Sequence, residues 1–205
     1  MNNKITNNIF KFTIKKTTIC KRKQILREKF LKLRKQIKSQ SYQQKSKQIC
    51  QYLKNSSYFQ QASKILFFAS QKTEVNLWPL IKETLVKSEK KVLLPRVNKN
   101  DTLQIFSINY LSDLEKGSFD ILQPKKNCLK VKPKEIDLIL LPSVCIDKFG
   151  NRIGYGKGFF DRFLLLTKAL KIAPIFQCQL SEKFIPEKHD VKINLILTEK
   201  GWIKI

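Results

Sequence analysis

Gly150-Asn151-Arg152-Ile153-Gly154-Tyr155-Gly156-Lys157-Gly158-Phe159-Phe160-Asp161 is the stretch on which the reading of this chain turns. The protein has six glycines, and four of them lie at 150, 154, 156 and 158. Glycine loses more freedom on ordering than any other residue, so a scarce supply gathered in one place marks a backbone that needs it there. Tyr155 and Lys157 alternate with the glycines, Arg152 precedes them and Asp161 follows. Exposed backbone N–H groups, two cations and a carboxylate are the parts of a site for phosphate and a divalent metal. A tight turn with close-packed backbone is the bland alternative, and the flanking Arg, Lys and Asp weigh against it. The pattern is neither a P-loop nor G-x-G-x-x-G, because the lysine sits between glycines and no Ser or Thr follows it.

Outward from the loop, an apolar run, 136–146, precedes it, and a helix-compatible segment, 159–170, follows. Strand, glycine loop, helix is the setting in which helix N-termini meet anions. Upstream, the pattern predicts strands at 64–69, 91–95, 103–108 and 137–141, and a helix at 74–86. Residues 112–134 read mostly as loop, with Pro124 and Pro133 as breakers. Downstream, two more strands are expected at 172–177 and 193–198. Strands alternating with helices predict an α/β fold: a mostly parallel sheet flanked by helices on both faces, a three-layer α/β/α sandwich. Ligands of such sheets bind at the carboxyl ends of the strands.

Two helices are expected before the first strand, at 21–37 and 42–53. In the first, Leu26, Phe30, Leu33 and Ile37 share one narrow apolar face at ~100° per residue. Lys23, Arg27 and Arg34 form a stripe beside that face, with Arg34 expected to matter less than Arg27. Residues 1–20 are basic and polar and read as a flexible tail, leaving 21–205 as a single domain.

The formal net charge is +25. Residues 1–73 hold one acid, Glu28, against 18 Lys and Arg. Lys, Asn and Ile abundance matches an AT-rich coding bias, and no aromatics interleave with the cations, so no specific nucleic-acid partner is expected. No apolar run approaches the ~18 residues of a membrane span. Five cysteines without metal-like spacing read as reduced thiols of an intracellular protein. A cytoplasmic location is expected. A mitochondrial transit peptide is the alternative for the acid-free tail, against which stands the absence of arginine before Arg22.

With these pieces in order, the chain resembles the 5-formyltetrahydrofolate cyclo-ligase (5,10-methenyltetrahydrofolate synthetase) family. The resemblance runs over nearly all of 21–205. It is carried by Lys23-x-x-Leu26-Arg27, Thr73-Glu74-Val75, Val92-Leu93-Leu94-Pro95-Arg96-Val97 and Gly117-x-Phe119-x-Ile121-x-x-Pro124. It continues through Leu141-Pro142 to Phe163, with Asp147, Gly150, Arg152 and the G-x-G-K-G loop, and ends in Pro186-x-x-x-Asp190 and Leu197-Thr198-Glu199. Two departures stand out. Phe159 and Phe160 replace the tyrosines of many members, so stacking faces remain without hydroxyls. Asn76 and Leu77 replace the usual Asp-Thr.

The resemblance implies ATP-dependent conversion of 5-formyltetrahydrofolate to 5,10-methenyltetrahydrofolate, with ATP and Mg2+ required and ADP and phosphate released. It implies that Lys23 and Arg27 grip the ATP phosphates, and that Arg152, Ile153, Gly154, Tyr155, Gly156, Lys157, Gly158, Phe159 and Phe160 form the rest of the nucleotide site. Lys157 and Arg152 would act on the transferred group, and Asp161 and Asp190 would hold magnesium. Glu74, Tyr155 and Phe159 would contact folate. His189 reads as structural or exposed rather than as a general base. The expected partners are these small molecules, and a monomer is expected.

The charge itself carries a testable expectation. Binding to random RNA or DNA pools should fall steeply as salt rises and show little sequence preference. Filter binding across a salt series checks this, and nanomolar, sequence-selective binding at physiological salt would contradict it.

Overall fold

The computed structural model describes residues 2–98, 100, 102–117 and 120–205, with side chains described from Ile19 onward; Phe119 lies outside them. Helix α1 spans Asn2–Lys35, α2 Ser39–Lys54 and α3 Ser57–Gln61. Strand β1, Lys64–Leu66, opens the sheet. Its neighbours are β2, Lys91–Val97, and β7, Leu138–Leu140, both parallel to it. Strands β10, Leu170–Pro174, and β12, Leu195–Thr198, continue the parallel set beyond β7. Antiparallel strands finish both edges: β13, Gly201–Lys204, beside β12, and β3, Leu103–Ile108, then β6, Leu129–Val131, beside β2. The eight strands lie in the order β13-β12-β10-β7-β1-β2-β3-β6.

The parallel strands are apolar on both faces, and successive residues enter different cores, as the strand period of two requires. Ile65, Val92, Leu94, Leu138, Leu140, Leu195 and Leu197 belong to one cluster, closed by Ile49 and Leu53 of α2, Phe59 of α3, and Leu80 and Ile81 of α4, Trp78–Lys87. Leu66, Leu93, Ile139, Ala173 and Ile196 belong to the other, closed by Phe163 and Leu164 of α5, Phe159–Leu164. The fold is the expected α/β sheet with helices on both faces and two long helices before β1.

A second, small sheet was not expected. β8, Cys145–Asp147, pairs antiparallel with β9, Arg152–Ile153, and parallel with β11, Leu180–Ser181. Helix α1 lies against it: Phe30 packs with Val144, Cys145, Ile153 and Phe184, flanked by Leu26 and Leu33. A hairpin of β4, Leu114–Lys116, and β5, Leu122–Pro124, stands where loop was expected. It is pinned by Arg96, which donates to Glu115 and to the Pro124 carbonyl at 2.5 and 2.6 Å.

Four expectations are corrected. Residues 2–20 continue helix α1 where a loose tail was read; no Pro or Gly interrupts residues 2–35 to break the helical backbone. The helix expected from Glu74 begins at Trp78, with Pro79 in its first turn. The helix expected over 159–170 stops at Leu164, because Leu165 and Leu166 point to solvent and offer no face to bury. Strand β10 begins two residues early, set by its register with β7, Leu170 opposite Leu138.

Asp147 fixes the hairpin that leads into the glycine loop. It is fully buried and accepts from the backbone N–H groups of Phe149, Asn151 and Phe184 and from the Asn151 side chain, at 2.8–3.3 Å. Asp147→Ala would leave these donors unpaired, at a cost of about 2–5 kcal/mol. The expected outcome is a large drop in thermal midpoint with folate and ATP absent, measured by circular dichroism.

Candidate active site

The site lies at the carboxyl edge of the parallel strands, where the turns after β1 and β7 meet α1 and the glycine loop. Gly156 and Gly158 have φ of 101° and 65°, a left-handed backbone that strains any side-chain-bearing residue. The bare faces of three glycines open toward guanidinium groups. A Cβ at Gly154 would lie 3.0 Å from Arg152 Nη1, one at Gly156 3.5 Å from Arg27 Cζ, and one at Gly158 3.1 Å from Arg162 Nη1. Arg27 also donates from Nε to the Gly154 carbonyl at 2.9 Å, tying α1 to the loop. Lys157 is exposed, and its ammonium has no partner among the described residues. Helix α5, at six residues, is too short to add much of a macrodipole. The positive field therefore comes from side chains.

The two carboxylates expected to hold a metal are each paired with a cation. Asp161 Oδ1 accepts from Arg152 Nη2 at 2.8 Å. Asp190 Oδ2 accepts from Lys23 Nζ at 2.5 Å and from the Glu187 N–H at 2.7 Å. Lys23 also reaches Glu187 at 2.8 Å, and Glu187, His189 and Asp190 place ligand atoms within 4.8 Å of one another. His189 is exposed. Each aspartate keeps its second oxygen free of hydrogen bonds among the described residues. Hard oxygens of that kind suit magnesium, which takes one or two carboxylates together with phosphate oxygens, so both residues fit the ion in donor chemistry. No described contact joins Asp161 to Asp190.

Glu74 sits in the turn after β1, not in a helix, and only 5% of its surface is exposed. Its Oε2 accepts from the Gln71 N–H at 2.8 Å and its Oε1 from the Tyr155 hydroxyl at 2.6 Å. Burial pushes its carboxyl above the usual range, against the lowering effect of Tyr155, Gln71 and the Arg34 charge. Tyr155 is raised too, by burial first and then by the Glu74 charge. The tyrosine is half-exposed along its length, while its hydroxyl is held between buried partners.

Arg34 is the residue the sequence reading undervalued. It is the most buried cation of the α1 stripe, at 4% exposure. It donates to Thr73 Oγ1 at 3.0 Å, to the Ser143 carbonyl at 3.4 Å and to the Tyr155 hydroxyl at 2.7 Å. Its place on one stripe with Lys23 and Arg27 was the available signal; what lay under each position was not. Of the aromatic residues, Phe160 packs against the core and Phe159 lies under the Arg162 guanidinium, 5.6 Å from it. The geometry thus gathers Arg27, Arg152 and Gly154–Gly158 in one place and Lys23 with Asp190 in a second, while the Tyr155 hydroxyl links the glycine loop to Glu74. A cleft of about 460 Å3 lined by Arg22, Lys23, Leu26 and Phe184 adjoins the second.

Comparison with known proteins identifies the family. Residues 19–199 match the 5-formyltetrahydrofolate cyclo-ligase family. The chain is 30% identical over 182 residues to 5-formyltetrahydrofolate cyclo-ligase of Haemophilus influenzae, covering 86% of this chain and 97% of that one. It is 32% identical over 148 residues to the enzyme of that name from Escherichia coli K12, covering 69% and 81%. The solution structure of Aquifex aeolicus 5,10-methenyltetrahydrofolate synthetase superposes with a TM-score of 0.81 at 30% identity, covering 89% of this chain and 92% of that one. The glycine loop, its arginines and the buried Glu74 therefore stand in an enzyme fold already associated with folate, and the chain belongs to the 5-formyltetrahydrofolate cyclo-ligase family.

Proposed function

We propose that this chain converts 5-formyltetrahydrofolate to 5,10-methenyltetrahydrofolate at the expense of ATP, releasing ADP and phosphate. The observation that carries the reading is the set of three glycine faces, each opening onto an arginine guanidinium. A surface of bare backbone lined by guanidinium groups suits a phosphate chain.

The chemistry explains the need for ATP. An N-formyl group is an amide, and its oxygen is a poor leaving group. The formyl oxygen attacks the γ-phosphorus and the bond to ADP breaks, giving an imidate-like phosphate. N10 then attacks the formyl carbon, loses its proton, and the C–O bond breaks as phosphate leaves with the oxygen. The protein's task is positioning and charge stabilisation. Lys23 and Arg27 bind the nucleotide phosphates. Arg152 and the N–H groups of Gly154–Gly158 hold the transferred group, and Lys157, free to move, closes on it. Asp161 and Asp190 hold magnesium, which supplies neutralisation of phosphoryl charge when bound. Each carboxylate for metal then neighbours a cation for phosphate, as in the pairs Arg152–Asp161 and Lys23–Asp190. Glu74 accepts hydrogen bonds from the pterin N–H groups, and Tyr155, Phe159 and Phe160 flank the rings. All five cysteines are unpaired, in keeping with a reducing compartment such as the cytoplasm.

ATP consumption by the purified protein should require 5-formyltetrahydrofolate and yield one ADP and one phosphate per methenyl product, followed by the absorbance of the methenyl form. Release of AMP, or ATP loss without folate, contradicts the reaction.

Lys157→Ala should lower turnover about 100-fold or more, because a cation facing developing charge acts mainly in the transition state. Asp161→Asn should raise the magnesium requirement. Steady-state rates against magnesium, with folding checked by circular dichroism, separate the two; near-normal curves for both would reduce the loop to a turn.

A further inference from the structure

The proposed reaction leaves one buried cation unused. Arg34 reaches neither the glycine loop backbone nor a carboxylate directly. It meets instead the turn that carries Glu74, through Thr73, and the hydroxyl that Glu74 accepts from, on Tyr155. We propose that Arg34 is a positioning residue for folate recognition: through the Tyr155 hydroxyl it holds Glu74 as a charged acceptor for the substrate's N–H groups. This rests on the reading that Glu74 meets folate.

The direction of the hydrogen bonds carries the inference. A guanidinium can only donate, so Tyr155 Oη must accept from Arg34 Nη2. The single hydroxyl proton is then committed to Glu74 Oε1, 2.6 Å away. The other carboxylate oxygen accepts from the Gln71 N–H, so both oxygens are used as acceptors by the protein itself. An ionised carboxylate has about four acceptor sites. Two are taken, and two remain for a pair of parallel N–H donors on a ligand. A protonated Glu74 would give up one of these two remaining sites and present a donor where a ligand N–H needs an acceptor.

Three further features fit a positioning role better than a purely structural one. The Arg34 guanidinium is bonded on all three nitrogens, so its direction is fixed. Its Ser143 contact is shared with Gln179, which is buried and donates to the same carbonyl at 2.7 Å. Its Cζ also lies 5.7 Å from the centre of the Tyr155 ring, which steadies the ring as well as the hydroxyl.

The groups that face Glu74 are Arg34 of α1, Tyr155 of the glycine loop, Tyr42 of α2 and the Gln71 N–H of its own turn. Burial raises the Glu74 carboxyl, while Tyr155, Gln71 and Arg34 lower it. Folate affinity that needs the charged form is present above the Glu74 pKa and lost as pH falls through it. Removing Arg34 or the Tyr155 hydroxyl takes away a lowering influence, so the loss moves to higher pH.

The test is KM for 5-formyltetrahydrofolate against pH at saturating ATP, together with a carbon-13 carboxyl NMR titration of glutamate-labelled protein, assigned with Glu74→Gln. In the wild type, KM should rise about tenfold per pH unit below the Glu74 pKa. In Arg34→Met and Tyr155→Phe, the KM rise and the Glu74 resonance should shift together to higher pH, and Arg34→Lys should fall between. A loss of thermal stability with both profiles unmoved would make Arg34 structural and overturn the proposal. Should Arg34→Met fail to fold, Tyr155→Phe decides alone, since it cuts the same link at a half-exposed side chain; an unmoved titration there overturns the proposal equally. If Glu74→Gln leaves the folate KM unchanged, the folate reading of Glu74 fails, and the NMR titration still reports separately whether Arg34 and Tyr155 hold its charge.

Discussion

The docking of α1 across the carboxyl edge of the sheet is the constraint on which the site depends. The two large clusters are closed by α2, α3, α4 and α5 and take no residue from α1, whereas the site does. Lys23, Arg27 and Arg34 of one helix reach four separate chain segments: the 187–190 turn, the glycine loop at Gly154 and Tyr155, Thr73, and Ser143. Buried cations cost several kcal/mol to desolvate unless well bonded. Here each finds a carboxylate, carbonyl or hydroxyl, so the interactions that seat the helix also set where it lies.

That arrangement couples the parts of the site. The helix is apolar toward Val144, Cys145, Ile153 and Phe184 and cationic along the adjoining edge. The small sheet beneath it carries Arg152 on β9 and delivers the chain into the glycine loop. Asp147 locks the turn between the two strands through four N–H groups. A shift of α1 would therefore change the arginine beside the glycine loop, the Lys23–Asp190 pair and the Glu74 group together. Such a unit would suit the proposed reaction, in which two substrates must be aligned before either reacts.

Much of the architecture was legible in the chain. β3 has the boundaries read from its pattern, and the buried parallel strands announced themselves as short apolar runs. The glycine loop was visible because glycine is rare here and concentrated. The small strands β8, β9 and β11 were not, since two or three residues give no period to read; only their partners make them strands. The edge strand β13 was also missed, since its four residues are too few to show a period and only its pairing with β12, after the turn at Glu199 and Lys200, makes it a strand. The end of α5 was misjudged because Leu165 and Leu166 continue the composition of a helix but not its buried face.

The sequence by itself determined the α/β class, the loop, the cationic stripe of α1 and the acidic residues at 74, 161 and 190. Periodicity is a local property, and it places a side chain on a face of its own element. Only the tertiary structure decided what each face meets. It joined Arg152 to Asp161 across nine residues and Lys23 to Asp190 across 167. It turned Arg34 from the outlying member of a stripe into the buried partner of Tyr155. The physical reason is that hydrogen bonds and ion pairs of this kind link segments far apart in the chain, and a pattern along one segment carries no information about the other.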